Sequence, residues 1–411
     1  MSTGPDRPAP LIPEGVVTVG DALAAAPGWR REPFTVLFPA GVLLAWAGVG
    51  HWLAHSLGLL ADYRPVFHAM TQIQGFMMCF AVGFLFTMIP RRTGSAPPAA
   101  WQMAVCLAAP FVTAVAAWSG RPVAAQLAWL AMAVTVIAFA VGRFTSATSR
   151  RRPPNSFVWI PASLAMGIAG SAMTVGYALG GGDAVWLHTL GTRLLLQGMF
   201  VGLVLGVGGL AIPLMTRGQA PPDGESTAAD SRARAGHALA AVALVASFVV
   251  ETQFSPAAGM SLRALVVLVV LLLGPEIWRR PTEAGWNRRF VWVSSWMIPV
   301  GYALAAAFPL SYKAGLHVVF IGGFASLALA VGTQVVLGHR GHREQMLGRP
   351  WQVPTIATFL LAAGVARALV DFDRTHFFAW LAVASVFFLL ATLVWAAFLI
   401  PKIVSPVDPS G

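Results

Sequence analysis

Histidines are the residues of this chain whose placement could carry chemistry, because six of the nine fall near the same end of predicted helices. In chain order these six are His51, His55, His68, His188, His317 and His376. One histidine at a helix end is usually an interfacial side chain with one wet ring nitrogen. Six at one level are harder to explain in this way, since imidazole ligates haem iron and copper and helical bundles build such sites from facing helices. The pattern therefore indicates a metal or haem site.

Two smaller groups of residues add candidates for that site. His51 and His55 lie four residues apart, so they share a helix face as two ligands of one metal ion would. Arg193 follows His188 within one apolar run, and it could pair with an anion such as a haem propionate. Cys79 and its neighbouring methionines could bind Cu(I), although buried sulfur side chains are more often packing residues.

The composition determines which elements must position these side chains. Of the 411 residues 57% are apolar and 10% charged, whereas soluble domains have about 45–50% apolar and about 25% charged residues. Twelve apolar runs are at or near the length that spans a bilayer. They cover residues 34–59, 67–90, 99–119, 122–142, 156–180, 184–215, 236–254, 261–279, 286–310, 313–338, 351–370 and 375–400. The sequence predicts an all-α polytopic membrane protein with one transmembrane domain, 34–400, between tails at 1–33 and 401–411.

The charge pattern predicts the orientation in the membrane. Most of the 27 lysines and arginines fall on the side of the two termini when the runs are placed in alternating directions. Positive residues stay on the cytoplasmic side, so both termini are predicted in the cytoplasm of a bacterial cell. The net charge of +11 then follows from topology, and no nucleic-acid partner is needed to explain it. The expected surroundings are the lipid bilayer.

An internal repeat connects the histidines with the helix order. The second, sixth and tenth runs each open with a histidine, His68, His188 or His317, and continue through glycines to a basic end. Similar spacing of this kind is typical of internal duplication. We therefore predict three pseudo-repeated units of four helices.

Three stretches resemble the NnrS family of bacterial inner-membrane proteins. They are Gly83 to Gly94, Gly208 to Thr216, and the tenth run from His317 to His342. The resemblance implies a protein that contains haem and copper and is associated with denitrification and nitric oxide tolerance. The chain departs from the family pattern at Met70, Thr71 and Leu210, where the family usually has histidine, glutamate and arginine.

The family resemblance implies a role for two histidines in particular. His68 and His317 are expected to be the axial ligands of a haem between the second and tenth helices. The haem would be of b type, since no C-x-x-C-H attachment motif occurs. A looser likeness to the catalytic subunit of haem-copper oxidases adds His188 as a copper ligand and accounts for twelve helices in three groups.

The leading functional prediction is an inner-membrane haem protein, with or without copper, that handles or senses nitric oxide. Two alternatives stay open: a small-solute transporter with a histidine-lined site, and a membrane scaffold or assembly factor. All 16 Asp and Glu residues are predicted outside the span interiors, which counts against a proton-coupled carrier. Arg367 and Asp371, four residues apart, are predicted to form an ion pair.

Overall fold

Long apolar helices account for most of the computed structural model, which describes residues 26–145, 152–180, 184–225, 227–282 and 284–405. Within these ranges twelve helices are long and apolar enough to cross a membrane, and no strand occurs. They are α1 Phe34–Ser56, α2 Pro65–Thr93, α3 Ala100–Trp118, α4 Pro122–Phe144, α5 Asn155–Ala178, α6 Val185–Arg217, α7 Ala228–Gln253, α8 Pro256–Leu273, α9 Trp286–Ala307, α10 Pro309–His339, α11 Gln352–Phe372 and α12 Arg374–Val404. The predicted all-α polytopic membrane fold is confirmed. Most of the predicted N-terminal tail and the last residues of the C-terminal tail lie outside the described residues.

Local sequence signals explain where the helices differ from the apolar runs. Helix α7 begins two turns earlier than predicted, because the Thr227 hydroxyl caps it by accepting from the Asp230 backbone N–H at 3.1 Å. Helix α8 begins and ends earlier, with Ser255 as its cap and Pro256 in its first turn. Polar first turns extend a helix beyond its apolar part, and hydropathy alone does not detect them.

The three helices that open with a histidine form the centre of the bundle. The buried share of the most apolar window is 89% in α2, 83% in α6 and 61% in α10. The buried share of α1 is also 61%, whereas that of the peripheral helix α7 is 22%. Connections between successive antiparallel helices bring the starts of α2, α6 and α10 to one end of the bundle, which we call the histidine face. The opposite end is the terminal face.

Each of the three central helices contains a π-helical segment close behind its histidine. The segments are Thr71–Met77 in α2, Leu194–Gly198 in α6 and Val318–Ala325 in α10. A π segment widens the helix by one residue per turn and rotates the side chains on either side of it, and such segments are frequent at functional sites. The feature agrees with the predicted repeat, which itself stays a prediction.

Close helix crossings also occur at equivalent places. Gly301 of α9 faces Gly315 of α10, and a Cβ at Gly315 would lie 2.4 Å from the Ala305 backbone nitrogen. Gly170 of α5 faces Gly191 of α6 in the same way. Backbones can approach this closely only where no side chain intervenes. The glycines therefore fix how the first two helices of the second and third predicted units pack near the histidine face.

Candidate functional site

His68 and His317 line the same cavity, which lies near the histidine face between α2 and α10. We call it the histidine cavity; its volume is about 290 Å³. Helices α1, α6, α11 and α12 complete its wall, which is mostly apolar and includes Trp52, Phe320 and Phe388. Pockets for small organic molecules have volumes of roughly 300–1,000 Å³, so this cavity lies just below that range. The sequence named both histidines, and the structure brings them together.

The His68 ring is held by the backbone of α1. Its Nδ1 lies 2.8 Å from the carbonyl oxygen of Gly48. A carbonyl can only accept, so Nδ1 carries the proton and Nε2 keeps its lone pair. Among the described residues, Nε2 of His68 has no hydrogen-bond partner. This is the arrangement that metal-bound histidines show, with one nitrogen fixed by a second group and the other facing the ligand.

The His317 ring is held within its own helix. Its Nδ1 lies 2.7 Å from the carbonyl oxygen of Lys313, one turn earlier. Its Nε2 likewise has no hydrogen-bond partner in the described part of the chain. The ring meets Phe320 edge-on, with the ring centres 5.8 Å apart. Two imidazoles, each with an Nε2 atom that has no hydrogen-bond partner in the described residues, thus line one cavity from two different helices.

Cationic groups lie beside the two histidines. Lys313 and Arg367 both line the histidine cavity. Arg367 forms the predicted ion pair with Asp371, whose oxygen lies 3.6 Å away. Tyr63 lines the cavity from the loop before α2, and burial raises the pKa of its phenol, which keeps the hydroxyl available as a donor. Lys313 and Arg367 therefore place positive groups at the cavity wall, although Arg367 shares its charge with the Asp371 carboxylate. Sequence reasoning missed Lys313 as a site residue, although it is one of the few cations on the histidine face.

The structure separates His51 from His55. His51 is 5% exposed, its Nδ1 lies 3.0 Å from the same Gly48 oxygen, and its buried Nε2 has no partner. Its ring centre lies 6.4 Å from that of His68. His55 faces elsewhere: its Nδ1 lies 3.0 Å from the Leu60 oxygen, and its ring contacts Phe378. No group of three or more His, Cys, Asp and Glu side chains suited to a metal occurs among the described residues. The predicted copper site at His51 and His55 stays a prediction.

His188 lies at a different cavity. Its exposed ring packs on Tyr177, with the ring centres 4.8 Å apart. The cavity that it lines has a volume of about 540 Å³ and lies between α2, α3, α4, α5 and α6. Ala69 and Leu196 line both cavities, so these side chains lie between His188 and the histidine cavity. His188 is therefore not brought together with His68 and His317.

Arg193 has a carboxylate partner within the chain. Its Nε lies 2.9 Å from one oxygen of Glu251, and Arg263 donates from Nη2 to the other oxygen at 2.6 Å. The Glu251 side chain is 4% exposed and that of Arg263 is 0% exposed. Glu251 lies in the last turn of α7, near the end of the predicted run 236–254 and not in a span interior. The sequence did not predict that this carboxylate would be buried against two arginines.

A family model described as NnrS protein matches residues 28–406. The chain belongs to the NnrS family. The match includes all twelve spanning helices, and the resemblance inferred from the three stretches is confirmed. A search of curated proteins found no match to this chain.

In this NnrS chain the ends of two of those stretches meet at the terminal face. Glu32 lies 3.1 Å from Arg340 and 3.5 Å from Arg91. His339 contacts Arg91, and its ring stacks on Phe34 with the ring centres 5.4 Å apart. Glu32 therefore joins the ends of α2 and α10 at the start of α1. The basic ends of these helices thus have a structural role, because their ion pairs with Glu32 hold α2 and α10 together.

Proposed function

We propose that this NnrS chain is a membrane haem protein that binds b-type haem in the histidine cavity and handles nitric oxide. The observation that carries the proposal is the pair of Nε2 atoms, on His68 and His317, that face one cavity without a hydrogen-bond partner in the described residues. Both termini would lie in the cytoplasm of the bacterial inner membrane, as the distribution of basic residues indicates.

The residues of the cavity fit a haem in three respects. His68 and His317 supply two neutral nitrogen donors, the walls are mostly apolar, and Lys313 and Arg367 supply cations for two propionates. The cavity of about 290 Å³ is narrow for a macrocycle, so we expect Phe320 to move when haem binds.

Each of these residues has a definite task. The Gly48 and Lys313 carbonyls orient the two imidazoles by accepting from Nδ1. The aromatic walls exclude water from the space between the rings. When bound, haem would supply an iron centre for redox chemistry with a small diatomic molecule.

Copper fits the described residues less well. His51 is the buried donor with a free Nε2, but His55 faces other neighbours and no sulfur or carboxylate group completes a set.

The test is an optical spectrum of the purified, reduced protein together with single substitutions. Low-spin ferrous bands are expected in the unaltered chain. His68→Ala or His317→Ala should remove them or convert them to high-spin bands, because each removes one of the two imidazole nitrogens that would hold the haem. His188→Ala is the matched control, since it alters a histidine of a neighbouring cavity and should leave the low-spin bands in place.

A folded protein without Soret absorbance, or low-spin bands that survive both substitutions, would refute the proposal. The first result would favour the small-solute transporter. Transport would then be tested with reconstituted vesicles.

A further inference from the structure

A second cavity lies on the axis of the bundle, further from the histidine face than the first. We call it the axial cavity; its volume is about 80 Å³. Its wall is formed mainly by the three central helices, for example by Phe84 of α2, Val207 of α6 and Ala328 of α10. It therefore lies where the three histidine-bearing helices meet.

The wall of the axial cavity selects the kind of molecule that it can hold. Its lining in the described part of the chain consists of apolar side chains and glycines, without a polar side chain. Water needs two to four polar partners to occupy a cavity, whereas apolar cavities stay dry and take up small apolar molecules such as xenon. A volume of about 80 Å³ exceeds the roughly 30 Å³ share of one water molecule and is much too small for a macrocycle. An uncharged molecule of a few atoms fits.

One side chain lies between the two cavities. Met77, in the π segment of α2, lines both of them. On α6, Leu196 lines the histidine cavity and Phe200, one turn further, lines the axial cavity. Phe200 packs on Phe324 of α10 with ring centres 4.9 Å apart, and both rings line the axial cavity but not the histidine cavity. Methionine has three rotatable bonds and adapts its shape more easily than the two phenylalanines.

We propose that the axial cavity binds a small uncharged apolar molecule, of the size of a diatomic gas, and that Met77 is the movable side chain between this site and the histidine cavity. The inference depends on the proposed function in one respect only, namely that the bound gas then reacts at the histidine cavity. Binding to the axial cavity itself requires no haem.

Xenon is the probe for occupancy. Purified protein in lipid nanodiscs is titrated with xenon, and its chemical shift is followed by NMR. Saturable binding is expected for the unaltered chain, over the linear uptake by lipid. Ala328→Leu should abolish the saturable part by filling the cavity, and Ala131→Leu, on an exposed position of α4, should leave it unchanged. Gly208→Ala is a milder filling change, since its Cβ would meet only Ile212, at 3.0 Å, and it should weaken binding.

The exchange rate of xenon tests the role of Met77. Met77→Ala should join the cavities and speed the exchange of bound xenon, whereas Met78→Ala, at a buried neighbour that lines neither cavity, should not. Purely linear uptake by the unaltered chain, or saturable binding that survives both filling variants, would overturn the site. Equal exchange in both methionine variants would overturn the role of Met77. Failure of the haem proposal would appear in the absorbance spectrum and leave the xenon result unaffected.

Discussion

Replacing Glu251 by glutamine should destabilise the protein more than any neutralisation of a surface carboxylate. Glu251 neutralises two arginines at once, through separate oxygens. The amide keeps the size and one acceptor oxygen but loses the negative charge. Arg263 would then be a cation that is 0% exposed and without a counter-charge.

The magnitude follows from burial. Removing one partner of a buried ion pair costs about 3–5 kcal/mol, because the remaining charge stays desolvated. Arg263 keeps Gln197 and Ser247 as acceptors and the Phe248 ring at 3.6 Å, so we expect the lower part of that range. Arg193 is 24% exposed and can turn toward the interface, and it adds little to the cost.

Thermal unfolding in detergent, followed by tryptophan fluorescence, measures the effect. Asp62→Asn is the matched control, since Asp62 is 62% exposed and its pair with Arg64 is worth about 0–1 kcal/mol. The double variant Glu251→Leu with Arg263→Leu should be more stable than Glu251→Gln, because it leaves no buried charge in α7 and α8. Equal midpoints for Glu251→Gln and the unaltered protein would refute the reasoning, as would a double variant that is less stable than the single one.

Three further predictions concern packing, ligand retention and topology. Gly315→Ala should lower the unfolding midpoint, because its Cβ would collide with the α9 backbone, whereas Gly364→Ala, with open space around it, should leave the midpoint unchanged or raise it. Arg367→Gln should weaken haem retention in a spectrophotometric wash-out assay, whereas Arg193→Gln should not, because of these two arginines only Arg367 lines the histidine cavity. Equal haem retention in the two variants would contradict the assignment of Arg367. A reporter enzyme fused after Gly411 should be active in the form specific to the cytoplasm and one inserted at Gly58 should report the opposite side; the same side for both would contradict the even number of spans.

The sequence predicted the helices because a membrane span needs only length and hydropathy. Twelve runs gave twelve helices, with errors of one or two turns at polar ends such as the start of α7. It also predicted that His68 and His317 could meet, since equal depth in two helices is read from their positions near the helix starts. The sequence did not predict how each helix is rotated about its own axis. His188 has the same depth, yet it faces another cavity.

Helix rotation also explains why the partner of Arg193 was missed. The side chain was expected at an anionic cofactor, whereas the structure directs it to Glu251 of α7 and Tyr312 of α10. Contacts of this kind depend on which helices are neighbours. The apolar residues are distributed almost evenly around each helix, so the sequence does not indicate which side of a helix faces which neighbour. The π segments add a further change of phase behind each histidine, for which no sequence signal was available.

Gly48 shows how one small residue can organise the site from a neighbouring helix. A Cβ at this position would lie 2.4 Å from Nε2 of Gln72, which donates to the Ala45 oxygen at 3.1 Å. The close approach of α1 to α2 therefore depends on the absent side chain. The same approach brings the Gly48 oxygen to Nδ1 of His68 and leaves its Nε2 facing the cavity. In α10 the equivalent carbonyl belongs to the histidine's own helix, so α2 is the helix whose imidazole depends on packing with α1.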